Sequence, residues 1–405
     1  MSETADGPLT GTFVVDLSRA LAGPHATMML GDLGARIVKI EAPGAGDDTR
    51  GWGPPFVTPA GGGAPESTYF LAANRNKESV TLDLRDDGDR AVLLGLVRRA
   101  DVLVENFRTG VLDRLGLGLE TLHELNPGLV ILSITGFGHD GPEGGRPGYD
   151  QIAQGEAGLM SLTGPDPDTP QKSGVPISDL LAGMYGAFGV VAALHERSTT
   201  GRGAVVRTSL LAATVGVHAF QGSRWTVARE VGRAQGNHHA SIAPYGLFRC
   251  ADGSVQIAVG SEGLWRTFCA AFGLDPGAPG LASNAERVAN RDALVALVEE
   301  VFAGWEAAAL LTRLRELGIP AGRVRTLEEV YTWDQVLSQG LLVDVDHETL
   351  GRLQLPGPPL RFFDTVGREL TRTRHKAPPV LGADGSAVRA WLAWEEESHD
   401  APTRR

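Results

Sequence analysis

Runs of β-branched residues alternate with amphipathic segments through the first two hundred residues, and this alternation restricts the fold more than any other feature. Apolar residues recur at intervals of three and four in residues 26–33 and 89–99, which is typical of amphipathic helices. Such helices between short apolar strands are typical of βαβ units. We therefore predict an α/β protein with a doubly wound parallel sheet. The predicted strands of this part are residues 12–17, 36–41, 79–84, 101–105, 129–135 and 204–208.

The chain changes character near residue 230. Two predicted strands, residues 245–249 and 255–259, flank Ala251-Asp252-Gly253, and an Asp-Gly pair between apolar runs indicates a hairpin. Helical patterns follow from residue 264 to 318. The predicted organisation is a large Rossmann-like domain (1–225), a smaller α+β domain (230–330), a segment returning to the large domain (340–395) and a tail (396–405). We expect disorder from Glu395 onwards.

Charge and composition argue against several classes of partner. The 405 residues carry a formal net charge of −12 at pH 7, whereas nucleic-acid binding depends on Lys and Arg that neutralise phosphates. A local group of basic residues can still bind an anionic ligand, because charges beyond about 8 Å are screened at physiological salt. The only cysteines, Cys250 and Cys269, have no disulfide or zinc spacing. We therefore expect neither a nucleic-acid partner nor a metal ion.

Two further features concern location. No stretch approaches the roughly 20 apolar residues of a membrane span, and the first residues, MSETADGPLT, lack the order of a secretory signal. We therefore expect a cytoplasmic protein without a membrane partner.

The most informative segment is SGVPISDLLAGMYGAFGVVAALHER, residues 173–197. Asp179 follows a proline-containing extended stretch and precedes apolar positions at helical spacing, which predicts that it is the N-cap of a helix. One interpretation is that its carboxylate only caps the helix. The other is a nucleophile that attacks an activated carbonyl, with N–H groups at the helix start stabilising the oxyanion. Gly183, Gly186 and Gly189 leave one face almost bare, so we expect another helix or strand to pack closely there.

Motifs along nearly the whole chain resemble those of the class III (CaiB/BaiF) CoA-transferases and the related 2-methylacyl-CoA racemases. They include VVDLSRALAGPHATMMLGDLGARIVKIEAPGAGDDTRGW, NRNKESVTLDL, ADVLVENFRTGVLDRLG, LNPGLVILSITGFGHDGP and PGYDQIAQGEAGLM, together with the segment around Asp179. The resemblance implies that Asp179 is the nucleophile that carries the acyl group. It also implies an interlocked homodimer, in which the small domain of one chain closes over the large domain of the other.

The resemblance further implies a coenzyme A site, with CoA bound as a substrate or product thioester. Most of the implied residues follow the carboxyl ends of predicted parallel strands, where open α/β sheets bind ligands. An Arg that directly follows KIE in some members is replaced here by Ala42, and Arg50 or Lys77 is our candidate to replace it. The implied CoA-binding residues are Ala20, Leu21, Ala22, Leu82, Arg85, Asn106, Phe107 and Arg114.

The segment GYD separates the transferase from its nearest alternative. The racemases carry a catalytic His where this chain has Tyr149. A phenol with an ordinary pKa of about 10 is a poor base at neutral pH, so acyl transfer is favoured over racemisation or epimerisation. We expect Tyr149 and Asp150 to border the catalytic site with Asp179.

The segment GNHHASIAPYGLF resembles the corresponding segment of the family branch that uses succinyl-CoA and glutarate-type dicarboxylates. We expect Asn237, His238 and His239 to shape the acceptor pocket, because a pair of His side chains can donate hydrogen bonds to the distal carboxylate of a diacid. The alternative is that both are ordinary surface-loop histidines.

Two other classes of protein remain as rivals. A nicotinamide dehydrogenase would explain the alternating βα half, but no G-x-G-x-x-G follows any predicted strand. A non-catalytic CoA-binding protein would use the same cofactor residues without turnover. The prediction is therefore an acyl-CoA:carboxylate CoA-transferase, with a succinyl-like donor and a small, dicarboxylic acceptor.

Overall fold

The fold is seen in a computed structural model, which describes residues 7–400 and the side chains up to residue 394. The described chain divides into two compact units. The first comprises the described residues of Met1–Gly158, Ser173–Ser223 and Asp334–Arg405, and the second comprises Leu159–Lys172 and Arg224–Trp333.

A six-stranded, wholly parallel sheet forms the centre of the first unit. Its strands, in chain order, are β1 (Phe13–Asp16), β2 (Arg36–Glu41), β5 (Lys77–Thr81), β6 (Val102–Glu105), β7 (Val130–Thr135) and β8 (Val205–Ser209). A short antiparallel pair, β3 (Phe56–Val57) and β4 (Glu66–Ser67), lies between β2 and β5 in sequence. The prediction of an α/β fold with a large parallel sheet is confirmed.

The strand order in the sheet is β5-β2-β1-β6-β7-β8. The chain therefore adds β2 and then β5 on one side of β1. It then crosses to the other side of β1 and adds β6, β7 and β8 in turn. The connections after β1 and β6 pack in different clusters. At such a point, sheets of this kind bind ligands in a crevice at the carboxyl edge.

Helices of the first unit cover the sheet and connect its strands. Buried side chains form separate clusters that include alternate residues of β1, for example Val15 in one and Val14 in the other, as expected for a sheet covered on both faces. The helices are α1 (Ala22–Asp32), α2 (Thr68–Ala73), α3 (Asp87–Arg99), α4 (Val111–Arg114), α5 (Leu119–Leu125), α6 (Asp150–Glu156), α7 (Ile177–Thr200), α8 (Leu210–Gly216), α15 (Asp334–Ser338) and α16 (Gly385–Asp400), with α9 (Ala219–Thr226) crossing into the second unit.

The glycine face of α7 packs against neighbouring elements, as the sequence predicts. A Cβ on Gly183 would lie 2.6 Å from the carbonyl oxygen of Ala22, and one on Gly189 would lie 2.6 Å from Val206 Cγ1. By length and composition α7 could also cross a membrane, which contradicts the expectation that no segment approaches such a span. Core helices of globular proteins pass the same test, and α7 covers β7 and β8 through its small residues.

The second unit contains a three-stranded antiparallel sheet and four longer helices. The hairpin of β9 (Tyr245–Cys250) and β10 (Gly253–Ala258) turns at Ala251-Asp252, and β11 (Ala321–Gly322) pairs with β10. The helices are α10 (Glu262–Phe272), α11 (Asn284–Ala289), α12 (Arg291–Phe302), α13 (Ala307–Glu316) and the short α14 (Leu327–Tyr331). In the first unit, β12 (Leu342–His347) and β13 (Gly351–Pro356) form a further hairpin.

Several predicted boundaries differ from the structure. Strand β5 covers residues 77–81 rather than 79–84, because the Asp83 side chain accepts the N–H of Arg85 and turns the chain after Leu82. Helix α16 extends to Asp400, past Glu395, and the expected disorder of the tail stays a prediction. Residues 401–405 of the predicted tail lie outside the described residues.

Candidate active site at the carboxyl edge of the sheet

Asn106 joins the two loops that diverge at the crevice. Its side-chain oxygen accepts the backbone N–H of Arg19 at 2.8 Å, and its side-chain nitrogen donates to the carbonyl of Arg19 at 2.7 Å. The guanidinium of Arg19 lies 5.6 Å from the ring centroid of Phe107. Ala20 has a positive φ of 63°, an uncommon conformation that turns the chain sharply before α1. The loops that contain Ala20, Leu21, Asn106 and Phe107 are therefore brought together.

Buried ion pairs and hydrogen bonds hold the loop after β1 in place. Lys39 donates to the carbonyl of Ser18 at 2.7 Å and pairs with Asp47 at 2.8 Å. Asp47 in turn accepts the N–H of Ala20 at 3.2 Å. Lys77 pairs with Asp16 at 3.1 Å. Burial alone would raise the pKa of Asp16, but the two lysines beside it lower that pKa to about 2, so it stays charged.

These contacts contradict the suggestion that Arg50 or Lys77 replaces the Arg missing at Ala42. Lys77 is wholly buried and paired with Asp16. Arg50 donates to both oxygens of Glu41 at 2.8 Å and lies 3.6 Å from the ring centroid of Phe70. Both cations are used inside the fold, so neither is available to an external phosphate.

The remaining predicted cofactor residues differ in exposure. Leu82 is only 2% exposed and its side chain belongs to the core, so only its backbone can reach a ligand. Arg85 is exposed and pairs with Asp83 at 2.9 Å. Arg114 lies exposed at the end of α4, and Ala22 is buried at the start of α1. Their contact with CoA stays a prediction.

Asp179 is not the N-cap, contrary to the sequence prediction. Helix α7 begins at Ile177, its N-cap is Pro176, and Asp179 is its third residue. The capping carboxylate comes from another helix: Asp150 Oδ1 accepts the N–H of Ser178 at 2.8 Å and that of Asp179 at 3.3 Å. The expectation that these N–H groups are available to an oxyanion is therefore wrong for these two.

The position of Asp150 has its own cause. Asp150 is the first residue of α6, and its second oxygen accepts a hydrogen bond from the Gln154 side chain at 2.7 Å. Tyr149, the N-cap residue of α6, is 66% exposed. The structure thus brings Asp150 to Asp179, as the sequence predicts, and leaves the phenol of Tyr149 open to solvent.

Two effects disfavour a negative charge on Asp179. Burial raises the pKa of Asp179 to about 7, and the neighbouring charge of Asp150 adds to the increase. A carboxyl group of this kind is half ionised near neutral pH and is more basic than an ordinary aspartate. A pKa that is perturbed by burial together with a specific charged partner is typical of functional residues.

Tyr69 is a site residue that the sequence did not reveal. Burial raises the pKa of Tyr69 to about 12, and the charges of Asp179, Asp150 and Asp47 contribute. Its phenol therefore remains a hydrogen-bond donor near Asp179. The ring packs edge to face on Trp52 at 5.1 Å, so the long loop after β2 takes part in the site. The only signal in the sequence is the long stretch rich in glycine and proline at residues 43–65, which precedes Tyr69.

The histidines of the predicted acceptor loop lie in the second unit. His238 contacts Phe248, with ring centroids 5.4 Å apart, and burial lowers its pKa, with a further contribution from Arg291. His239 stacks on Tyr245 at 5.0 Å. Arg291 donates to the carbonyls of His239 and Ala240, which fixes the backbone beyond Asn237. Their role towards an acceptor stays a prediction.

Several known proteins are similar to this chain in sequence or in structure. The family model described as CoA-transferase family III matches residues 9–385. The succinyl-CoA:glutarate CoA-transferase of Mus musculus is 37% identical over 381 residues, covering 93% of this chain and 84% of the relative. The acetyl-CoA:oxalate CoA-transferase of Acetobacter aceti is 37% identical over 393 residues, covering 96% and 97%. A crystal structure of a CaiB/BaiF family protein from Brucella suis superimposes with a TM-score of 0.83 at 38% identity, covering 95% and 99%.

We expect Asp179 to titrate near pH 7 and Asp150→Asn to lower that value. Asparagine keeps a side-chain oxygen that can accept the N–H of Ser178, but it removes the second charge. Because burial is the larger cause, the pKa of Asp179 in the variant should fall and still stay above its ordinary value of 3.8. NMR of protein with ¹³C-labelled aspartate carboxyls measures this, and Asp179→Asn assigns the signal. An unchanged pKa in Asp150→Asn would show that the two carboxylates are not coupled.

Proposed function

The chain belongs to CoA-transferase family III, and we propose that it moves coenzyme A from an acyl-CoA donor to a small dicarboxylic acid through an acyl group carried by Asp179. The observation that carries this proposal is the half-buried Asp179 carboxylate, which is held beside a second carboxylate and has a raised pKa. The names of the relatives, which use succinyl-CoA with glutarate and acetyl-CoA with oxalate, support the choice of substrates.

The proposed first half-reaction begins at the carboxylate of Asp179. It attacks the thioester carbonyl of the donor, which forms a mixed anhydride and releases CoA as its thiolate. The thiolate then attacks the carbonyl of Asp179, which forms an aspartyl-CoA thioester and frees the donor acid. The second half-reaction runs these steps in reverse with the acceptor acid and regenerates the carboxylate. One thioester is consumed and one is formed, so the cycle needs no other energy source.

The environment of Asp179 favours its acylation. Acylation removes a negative charge from a place where burial and Asp150 both disfavour it. The same two effects raise the basicity of the carboxylate, and a more basic carboxylate is a better nucleophile. The protonated phenol of Tyr69, close to Asp179, is suited to donate to the oxyanion of the tetrahedral intermediate.

A covalent hydroxamate on Asp179 is the expected outcome when the protein is incubated with succinyl-CoA and hydroxylamine. Hydroxylamine attacks the anhydride or the aspartyl thioester, and mass spectrometry identifies the peptide. Asp179→Ala should lower kcat by at least ~10³-fold, about 4 kcal/mol of barrier. Asp168→Ala changes an exposed aspartate of the second unit and serves as the matched control.

Near-normal turnover by Asp179→Ala would refute this role. If hydroxamate is absent while α-hydrogen of a 2-methylacyl-CoA exchanges with D₂O, the racemase alternative takes over. If CoA binds but label never exchanges between free acid and acyl-CoA, the protein is a non-catalytic binder.

We also propose that His238 and His239 recognise the second carboxylate of the acceptor. Charge-assisted hydrogen bonds contribute about 1.5–3 kcal/mol, so His238→Asn with His239→Asn should raise the KM for a diacid by roughly 10- to 100-fold. The KM for a monocarboxylate and the yield of hydroxamate from acetyl-CoA, a donor without a second carboxylate, should not change. An acceptor panel of succinate, glutarate, malate, itaconate, oxalate and aromatic acids provides the measurement. A protein that accepts only monoacids would contradict the proposal.

We propose a homodimer that covers the outer face of α7. This face is unusually apolar for a surface: Phe188 is 72% exposed, Met184 48% and Val191 39%. Contiguous exposed apolar residues mark protein contacts. Phe188→Glu should shift the sedimentation coefficient from dimer to monomer, whereas Thr199→Glu, at the exposed end of the same helix, should leave it unchanged. A wild-type monomer would rule the dimer out.

We propose a cytoplasmic location. Cys250 and Cys269 form no disulfide with each other, which suits a reducing compartment. Fractionation of cells that produce the protein tests this directly.

A further inference from the structure

We propose that His139 is a positioning residue, which ties the loop leading to Asp150 to a buried carboxylate shared with the CoA-binding loop. The proposal rests on the function above, because it concerns how Asp150 and Asp179 are held in place. It adds Glu105, Ser133 and His139, which the sequence had not singled out, to the residues on which the reaction depends.

Three side chains form a continuous polar chain at the ends of β6 and β7. Glu105 and Ser133 are opposite each other in the parallel pairing and are 5% and 4% exposed. The hydroxyl of Ser133 contacts Glu105 Oε1 on one side and lies 2.7 Å from His139 Nε2 on the other. Glu105 Oε2 accepts the N–H of Phe107 at 2.8 Å. One carboxylate therefore connects the loop after β6 with the loop after β7.

The loop that contains His139 is closed at its neck, so its position is transmitted to Asp150. A Cβ on Gly136 would lie 2.7 Å from the backbone nitrogen of Gly148, and one on Gly148 would lie 2.9 Å from Gly136 Cα. The backbones touch where the loop begins and ends. Asp150 follows two residues after this neck, and its carboxylate binds the N–H groups of Ser178 and Asp179. A displaced loop would thus displace the charge beside the nucleophile.

The hydrogen bond between His139 and Ser133 survives a change of protonation. Burial raises the pKa of Glu105 and lowers that of His139, and the nearby Arg207 lowers both, whereas Asp140 raises that of His139. With Glu105 protonated, its O–H donates to Ser133 and the hydroxyl donates to His139 Nε2. With Glu105 ionised, the hydroxyl donates to Glu105 and Nε2–H donates to the hydroxyl. In both arrangements Glu105, Ser133 and His139 Nε2 all form hydrogen bonds. The connection is therefore structural and does not act as a pH switch.

A hydrolytic triad is excluded by the order of the three groups. In such a triad the imidazole lies between the serine and the acid and removes the serine proton. Here Ser133 lies between the other two groups, close to the carboxyl end of the buried strand β7. The hydroxyl has no open side from which to attack a substrate, and its role is to connect.

The test compares His139→Ala with His139→Gln, whose side-chain amide can still bond to Ser133. We expect His139→Ala to lower kcat about tenfold, roughly 1.4 kcal/mol of barrier, while the KM for acyl-CoA stays within about twofold. The KM is retained because Glu105 still holds Phe107. His139→Gln should recover kcat to within about threefold of wild type. Hydrogen exchange of the amides between Gly136 and Gly148 should be faster in the alanine variant and normal in the glutamine variant.

The control is His195→Ala, which changes an exposed histidine near the far end of α7 and should behave as wild type. His139→Leu replaces the alanine variant if that one does not fold. The inference would be overturned if His139→Ala left kcat unchanged or raised only the KM for acyl-CoA. It would also be overturned if His139→Gln lowered kcat as much as His139→Ala. If wild type makes no hydroxamate on Asp179, the proposed function fails instead, and the exchange of the loop amides still decides whether His139 holds the loop.

Discussion

The carboxylate of Asp150 at the first turn of α7 is the interaction on which the site depends. It binds two N–H groups at the helix start, and in doing so it lies close to a second carboxylate, that of Asp179. The favourable hydrogen bonds hold the unfavourable charge pair together. A local cap, such as a serine before the helix, would satisfy the same N–H groups without adding to the increase in the pKa of Asp179 that burial causes. The cost of the charge pair is thus localised at the group that performs the chemistry.

The rest of the first unit keeps this pair at the edge of the sheet. The strand order reverses between β1 and β6, and sheets of this kind bind ligands beside the loops that follow such strands. Asn106 joins those loops, and the buried pairs of Lys39 and Lys77 with Asp47 and Asp16 support them from inside. Buried ion pairs give little net stability, but removal of one partner leaves an uncompensated charge. We infer that these pairs serve to fix the loop geometry.

The sequence was sufficient for elements that depend on local patterns. Strands β2 and β7 and the hairpin of β9 and β10 follow from short apolar runs and from an Asp-Gly turn. The glycines of α7 correctly indicated close packing. The prediction that Asp179 is the N-cap of α7 is wrong, because the oxygen that caps the helix belongs to Asp150, 28 residues away from Ser178 in sequence. The same reason explains why Lys77 and Arg50 were wrongly predicted to contact CoA and why Tyr69 was missed. Their partners are distant in the chain, and only the fold brings them together.

The central claim is that an oxygen of Asp179 takes part in the bond that is made and broken. In the proposed cycle the acceptor carboxylate attacks the aspartyl thioester, and its attacking oxygen remains on Asp179 when CoA captures the acceptor's acyl group. Turnover with an acceptor whose carboxylates carry ¹⁸O should therefore leave heavy oxygen in the peptide that contains Asp179, as seen by mass spectrometry. If CoA is transferred and that peptide contains no ¹⁸O, Asp179 does not carry the acyl group.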